Sequence, residues 1–315
     1  MKPADSETAT GAVAGFRSGF VSILGRPNAG KSTLLNALVG TKVSIVADKP
    51  QTTRTTIQGV LTSDRAQIVF ADTPGIHRAD STINKRMMNT VRAALNDRDL
   101  LVFVADAAQE LGVGDQEAVD LLRKTETPVI LALNKIDLVK DKNRLLGRLD
   151  RYRGLHDFCE YVPVSAATGE NLPTLLDVIV ARLPLGPAYF PADHVTDQPE
   201  RFLASELVRE KILLETRQEV PHSVAVLVDK WEETPSLLRI FATVYVEKEG
   251  QKGILIGAGG VKLKRIGTLA RQEMERFFTK RVFLDLRVKV QRQWREKGAF
   301  LDALDWRTMA GTDEF

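Results

Sequence analysis

Six short apolar runs recur between residues 20 and 165, and two of them, LLVFVA (100–105) and VILALN (129–134), are apolar without interruption up to the final Asn134. A strand with one wet face alternates apolar and polar residues, whereas an unbroken apolar strand is covered on both faces. The other runs are FVSIL (20–24), TIQGVL (56–61), QIVFA (67–71) and YVPVS (161–165). Helix-periodic stretches lie between them near 31–39, 84–95, 115–124, 141–152 and 171–183. This alternation predicts an α/β domain over residues 19–183, with a doubly wound, mainly parallel sheet and its ligands beyond the carboxyl ends of the strands.

The pattern then changes. Pro184, Pro187, Pro191 and Pro199 punctuate a segment without periodicity, which reads as a linker over 184–200. RFLASELVREKILLETRQEV is helical, SVAVLVDKWEE and SLLRIFATVYVEK are strands, VKLKRIGTLARQEMERFF is a helix and VFLDLRVKVQ a last strand. That order predicts a second, α+β domain over 201–315, with an antiparallel or mixed sheet and a carboxy-terminal extension. Trp294 and Trp306 in that extension read as packing anchors. Residues 1–18, small and partly acidic, read as a disordered tail rather than a signal peptide. No apolar run approaches the roughly 18–20 residues needed to span a bilayer. The single cysteine, Cys159, leaves no disulfide within the chain. Both features predict a cytoplasmic protein. His77, His156, His194 and His222 lack metal-ligand spacing.

The chemistry starts at GRPNAGKST (25–33), between the first strand and the first helix. It fits G-x-x-x-x-G-K-[ST] in the strand–helix context that this loop requires. Its glycines let backbone N–H groups turn toward phosphate oxygens, and the following helix offers unpaired N–H groups and a positive dipole end. Lys31 supplies a cation for the β- and γ-phosphates, and Ser32 a hydroxyl for Mg²⁺.

Asn134-Lys135-Ile136-Asp137 ends a buried strand on the same sheet edge. A carboxylate at Asp137 can accept from guanine N1–H and N2–H₂, groups for which adenine has no counterpart. Such hydrogen-bonded sites reject the analogue by about 10⁴–10⁵. Ser165-Ala166, ending the next strand, is expected to bring a backbone N–H to guanine O6. Asp72-Thr73-Pro74-Gly75 follows QIVFA, so Asp72 is expected at Mg²⁺ and the Gly75 N–H at the γ-phosphate. Gln51-Thr52-Thr53-Arg54 precedes the second strand, and Thr53 is favoured to touch both Mg²⁺ and the γ-phosphate. Contacts that need the third phosphate make such segments a switch between GTP and GDP states.

GRPNAGKS, QTTR, DTPG, NKID and SAATG, in this order, resemble the translation-factor-related GTPases over residues 20–183. The resemblance implies a P-loop GTPase with GTP/GDP and Mg²⁺. Its site would comprise Gly25, Asn28, Ala29, Gly30, Lys31, Ser32, Thr33, Asp72, Gly75, Asn134, Lys135, Asp137, Ser165 and Ala166. Lys31, Thr53, Asp72 and Gly75 would be catalytic, with Ser32, Thr53 and Asp72 around the metal. Ile76 stands where Ras-type enzymes carry a water-orienting glutamine, so slow basal hydrolysis is expected. Arg54 and Arg78 lie in the switch segments, and neither is identified as an arginine finger. Asn28 matches the asparagine of potassium-dependent relatives. It either helps place a K⁺ ion or only shapes the loop.

In LIGAGGVKLKRIG, Gly257-Ala258-Gly259-Gly260 forms a GxxG turn ahead of a basic helix. The third glycine of a dinucleotide loop is missing, and Val261 replaces the Lys of a second P-loop. Twelve basic residues face four acidic ones from Lys262 to Lys297, which suits a polyanion. Helix–strand–strand–helix–strand order with GxxG before a late helix looks like the type II KH domain, whose loop clamps single-stranded nucleotides. Gly257, Ala258, Gly259, Gly260, Lys262, Lys264 and Arg265 would hold RNA. Gly259 departs from the lysine common in KH loops, which leaves the charge to Lys262, Lys264 and Arg265.

The whole arrangement, with RFLASELVREK and VEKEGQK, resembles the Era family of ribosome-assembly GTPases. That resemblance implies a partner near the 3′ end of small-subunit ribosomal RNA within the assembling small (30S) subunit. It also implies peripheral contact with the inner face of the cytoplasmic membrane. A monomer is expected. A signalling GTPase acting on protein or membrane partners through its second domain is the alternative, and RNA binding discriminates the two.

Overall fold

The computed structural model describes residues 15–76, 80–217 and 220–309. The expected tail therefore lies outside the described residues up to position 14, as do His77 and Arg78. The expected tail also runs too far, because the first strand, β1 (Arg17–Leu24), starts before FVSIL. Arg17 and Ser18 pair with Ala66 and Gln67, so partners on the neighbouring strand extend the ladder beyond the apolar run.

The first half contains α1 (Lys31–Val39), β2 (Ile57–Thr62), β3 (Ala66–Asp72), α2 (Thr82–Ala93), β4 (Leu100–Asp106), α3 (Val113–Leu122), β5 (Val129–Asn134), α4 (Asn143–Arg153), β6 (Glu160–Pro163) and α5 (Leu172–Arg182). The sheet order is β2-β3-β1-β4-β5-β6, parallel except for the antiparallel edge strand β2. Every residue of β4 and β5 is buried, as their unbroken apolar sequence requires. Leu34, Leu35 and Leu38 of α1 and Leu175 and Ile179 of α5 cover one face. Met88, Val91, Val119, Leu122 and Leu145, from α2, α3 and α4, cover the other. The connections leaving β1 and β4 go to opposite faces, which opens a crevice over the carboxyl end of β1.

The proline-punctuated segment is packed along the sheet rather than free. Gln67 Oε1 accepts the Tyr189 and Phe190 N–H groups at 2.6 and 2.9 Å, and Val60 N–H donates to Val195 O at 2.8 Å. Beyond it come α6 (Glu200–Glu215), β7 (Ala225–Glu233), β8 (Leu237–Val246), α7 (Glu249–Ile256), α8 (Val261–Phe278), β9 (Arg281–Val290), α9 (Gly298–Ala303) and α10 (Trp306–Met309). The sheet is mixed: β7–β8 is antiparallel and β8–β9 parallel. One of its faces packs on α6, α7 and α8.

The sequence pattern did not reveal α7. EGQKGILI contains two glycines, and its apolar end looks like a strand. The helix forms because Gln251 Oε1 accepts the Glu247 and Lys248 N–H groups at 3.0 and 2.9 Å and Leu255 is fully buried. Trp294 is also fully buried and donates Nε1–H to Ser223 O at 2.9 Å. Trp306 donates to Thr56 O at 3.1 Å and so ties the chain end to the first half. Among the described residues no helix is long and apolar enough to cross a membrane.

Candidate nucleotide site and RNA interface

The loop 25–33 carries the chain from β1 to α1 at the crevice. Pro27, Asn28, Gly30, Lys31, Ser32 and Thr33 line a cleft whose opposite wall is Ile45 to Thr53, with Gly75 at its end. Ala29 lies beneath the loop, fully buried. Lys31 Nζ spans the loop, donating to Gly25 O at 3.1 Å and Arg26 O at 2.9 Å. Burial pushes its pKa down to about 8, opposed by the charge of Asp72. An anion beside Lys31 would favour its charged form.

The hydroxyls predicted from separate motifs converge on one carboxylate. Ser32 Oγ donates to Asp72 Oδ2 at 2.6 Å, Thr53 Oγ1 lies 3.3 Å from the same oxygen, and the two hydroxyls are 2.9 Å apart. Ser44 Oγ also donates to Oδ2, at 3.1 Å. Ser44 was missed because its own stretch has no motif, and it is placed by Asn36, whose Oδ1 accepts the Val43 and Ser44 N–H groups. Asp72 is fully buried, and its Oδ1 has no protein hydrogen-bond partner. Burial raises its pKa, opposed by Lys31 and the three hydroxyls. A buried carboxylate oxygen without a partner, beside two converging hydroxyls, is a hard-oxygen donor set that fits Mg²⁺.

Gly75 closes the cleft. A Cβ there would lie 2.8 Å from Pro27 Cα and N, so only glycine permits this approach to the loop. Ile76 turns away: it is buried with Leu24 and Phe103, and its N–H donates to Gly25 O at 3.3 Å.

The motif Asn134-Lys135-Ile136-Asp137 arrives as a braced unit. Asn134 Nδ2–H donates to Ala29 O at 2.9 Å, while its Oδ1 accepts the Ala166 N–H at 2.9 Å. Lys135 Nζ donates to Asn28 O at 2.6 Å and to Asp106 Oδ2 at 2.8 Å. Asn134 and Lys135 thus staple three loops together. The Asp137 carboxylate is exposed and aligned by Ser165 Oγ at 2.6 Å. Within the protein, Ser165 N–H donates to Glu170 O at 3.0 Å and Ala166 N–H to Asn134 Oδ1 at 2.9 Å, which fixes this turn beside the Asp137 carboxylate. Asp106 was missed. It ends the run LLVFVAD on the ligand edge and also lies 3.9 Å from Arg26, which in turn is 3.4 Å from Asp115. Its signal was an acid directly after a doubly buried strand.

The segment around Thr53 is gripped on both sides by the carboxy-terminal half. Arg209 of α6, 2% exposed, donates to Thr52 O and is held by Glu206 through Nε at 2.7 Å. In return, Arg54 donates to Val224 O at 2.7 Å and stacks on the Trp294 ring, 5.4 Å from its centroid. Burial and the charges of Arg209 and Arg295 push the Arg54 pKa down to about 9. Val46 N–H donates to Glu210 Oε1 at 2.8 Å, and Ile45 packs in the same core as α6. Arg54 is therefore committed to the second half, and Arg78 lies outside the described residues.

The GxxG turn links α7 to α8. Gly257 has φ +72°, and a Cβ there would sit 2.9 Å from Lys262 Cβ. Ala258 and Gly259 are exposed at the tip, and Gly260 precedes the start of α8. Exposed Ile254 and Val261 provide apolar surface on either side of the turn. Lys264 is exposed and Lys262 half-buried, whereas Arg265 is drawn to Glu215 at 3.1 Å.

Residues 20–135 match the 50S ribosome-binding GTPase family, and residues 219–295 the KH domain family. GTPase Era of Syntrophus aciditrophicus (strain SB) is 50% identical over 292 residues, spanning 92% of this chain and 95% of the relative. Two solved structures, each 38% identical, have a TM-score of 0.89 over 92% of this chain and 99% of theirs. One is a point variant of Aquifex aeolicus Era bound to GDP.AlF4⁻. The other is Era in complex with MgGDPNP and nucleotides 1506–1542 of 16S ribosomal RNA. Fold and site together define a P-loop GTPase carrying a carboxy-terminal KH domain. The chain belongs to the Era family of GTPases.

Proposed function

We propose that GTP binding and hydrolysis in residues 19–183 are coupled to single-stranded RNA binding by the KH domain in residues 201–315. The RNA would be the 3′ end of small-subunit ribosomal RNA, and the setting assembly of the small subunit and maturation of that end. The RNA-bound Era relative supports the partner. The observation that carries the coupling is the grip on Thr53: the residue at the γ-phosphate end of the cleft is flanked by Thr52, held by Arg209, and Arg54, held by the KH half.

In this reading Lys31 and the loop N–H groups hold the phosphates, and Asp137 reads guanine. Ser32, Thr53 and Asp72 would hold Mg²⁺, which supplies charge neutralisation at the phosphate oxygens. Gly75, packed against Pro27, brings its N–H to the γ-phosphate. No side chain among the described residues of the cleft replaces the missing glutamine at Ile76, so basal turnover is slow and a partner or cation accelerates it. Asn28, in the cleft lining, is the residue through which K⁺ would act. Higher turnover in K⁺ than in Na⁺ buffer supports that role, and equal rates refute it. For RNA, Gly257→Asp is expected to abolish binding of a single-stranded ribosomal RNA fragment with GTP binding intact. Unchanged RNA binding would overturn the reading of the GxxG turn as the RNA clamp.

A further inference from the structure

The cationic run from Lys262 to Lys297 divides between two surfaces. Lys262 and Lys264 flank the glycine turn, in the helical layer. Arg281, Arg287 and Lys289 instead alternate along β9 with Val282, Leu284, Leu286 and Val288, which pack into the core beneath α6 and α8. A period of two puts these cations on the opposite, outer face of the sheet. The same alternation in β8 buries Leu238, Ile240 and Ala242 and turns Arg239 and Phe241 outward. Phosphates held at the GxxG turn lie on the other side of the sheet, so the groove leaves this set of cations without a function.

Two phenylalanines stand among them. Phe283 is 48% exposed, and its ring centroid lies 5.9 Å from that of Phe241. Register places Arg239 directly across from Phe283, and Lys230 Nζ lies 5.9 Å over the Phe241 ring. The acids on this face are engaged: Glu232 with Lys230 at 2.5 Å, Asp285 with Arg287 at 4.0 Å, and Asp229 as acceptor from Thr243 Oγ1 at 2.6 Å. Among the described residues, the far end of this face is covered, where Tyr245 packs on Phe300.

We propose that this outer face is a second RNA contact, on which an unpaired base stacks on Phe283 while Arg239, Arg287 and Lys289 neutralise the flanking phosphates. This deepens the RNA reading above and rests on it. The charge pattern favours RNA over protein: the centres of protein interfaces are depleted in charge, whereas here each ring has a cation beside it. Aromatic rings on an open sheet with basic neighbours are the common device for holding unpaired bases. β9 is an edge strand, so one RNA strand can pass from the glycine turn around that edge onto the outer face.

The test compares the full chain with Phe283→Ala, Phe283→Trp and Arg239→Glu on two ribosomal RNA oligonucleotides, one of about 5 nucleotides that fills the KH groove and one of about 12 that can reach the outer face. Phe283→Ala is expected to weaken binding of the longer strand roughly five- to fiftyfold, with the shorter unaffected and Trp restoring affinity. Arg239→Glu should likewise weaken only the longer strand. Equal affinity of wild type and Phe283→Ala for the longer strand would overturn the proposal. So would an equal loss on both strands, which places the effect in the groove. Unchanged RNA binding with loss of self-association would overturn it in favour of a protein contact. Short-strand binding indifferent to Gly257→Asp would defeat the groove reading alone, with the longer strand still deciding the outer face.

Discussion

Replacing Arg209 by alanine should disconnect the two halves without emptying either site. Its guanidinium is 2% exposed, donates to Thr52 O, and is paired with Glu206, itself only 17% exposed. Breaking a buried pair costs about 3–5 kcal/mol, because the partner's charge is left uncompensated. Glu206 can draw some water, so the lower end applies: about 3 kcal/mol, or roughly 150-fold in the equilibrium for docking the switch segment on α6. Allosteric couplings are about 1–3 kcal/mol. The loss is large enough to erase the coupling.

The assay is the affinity of a ribosomal RNA oligonucleotide measured with GDP and with a non-hydrolysable GTP analogue. The two values should differ in the wild type and coincide within about twofold in Arg209→Ala, since linkage makes the coupling reciprocal. Affinity for the analogue without RNA should stay within about threefold, because no Arg209 atom is bonded to the phosphate loop. Arg209→Lys, which keeps the charge but not the planar fork, should retain part of the coupling. A GTP-to-GDP affinity ratio as large in Arg209→Ala as in the wild type would refute the reasoning.

Two other outcomes are expected. Asp137→Asn should shift preference from guanine toward xanthine nucleotides, measured by competition, because an amide can donate to the xanthine C2 carbonyl; retained preference for GTP would contradict base reading by this exposed carboxylate. Trp294→Ala should lower stability by about 3–5 kcal/mol in denaturant unfolding, since it empties a fully buried site and removes the ring on which Arg54 stacks.

The sheet was legible because doubly buried strands cannot hide their composition: β4 and β5 fall on LLVFVA and VILALN almost residue for residue. The phosphate loop and α1 were legible for a related reason, since a glycine turn and a helix start are local events. Element ends were less so. β1 extends to Arg17 because β3 offers it partners, a fact no window around Arg17 contains. The missed α7 shows the same limit, as two glycines argue against a helix that tertiary burial of Leu255 and the Gln251 cap support.

The sequence by itself determined the kind of chemistry: a phosphate-loop motif, an acid ending a buried strand and an NKID motif on one sheet edge, followed by a GxxG turn with basic neighbours. Those assignments depend on spacing within short segments, where a handful of covalent bonds fix the geometry. Only the tertiary structure decided which partners those residues take. Ser165 and Ala166 spend their N–H groups on Glu170 and Asn134, Arg54 faces Trp294 rather than the cleft, and Arg209 reaches Thr52 from 157 residues away. The physical reason is that a side chain's hydrogen-bond partner is chosen by what folding brings within about 3 Å, and sequence distance carries no information about that.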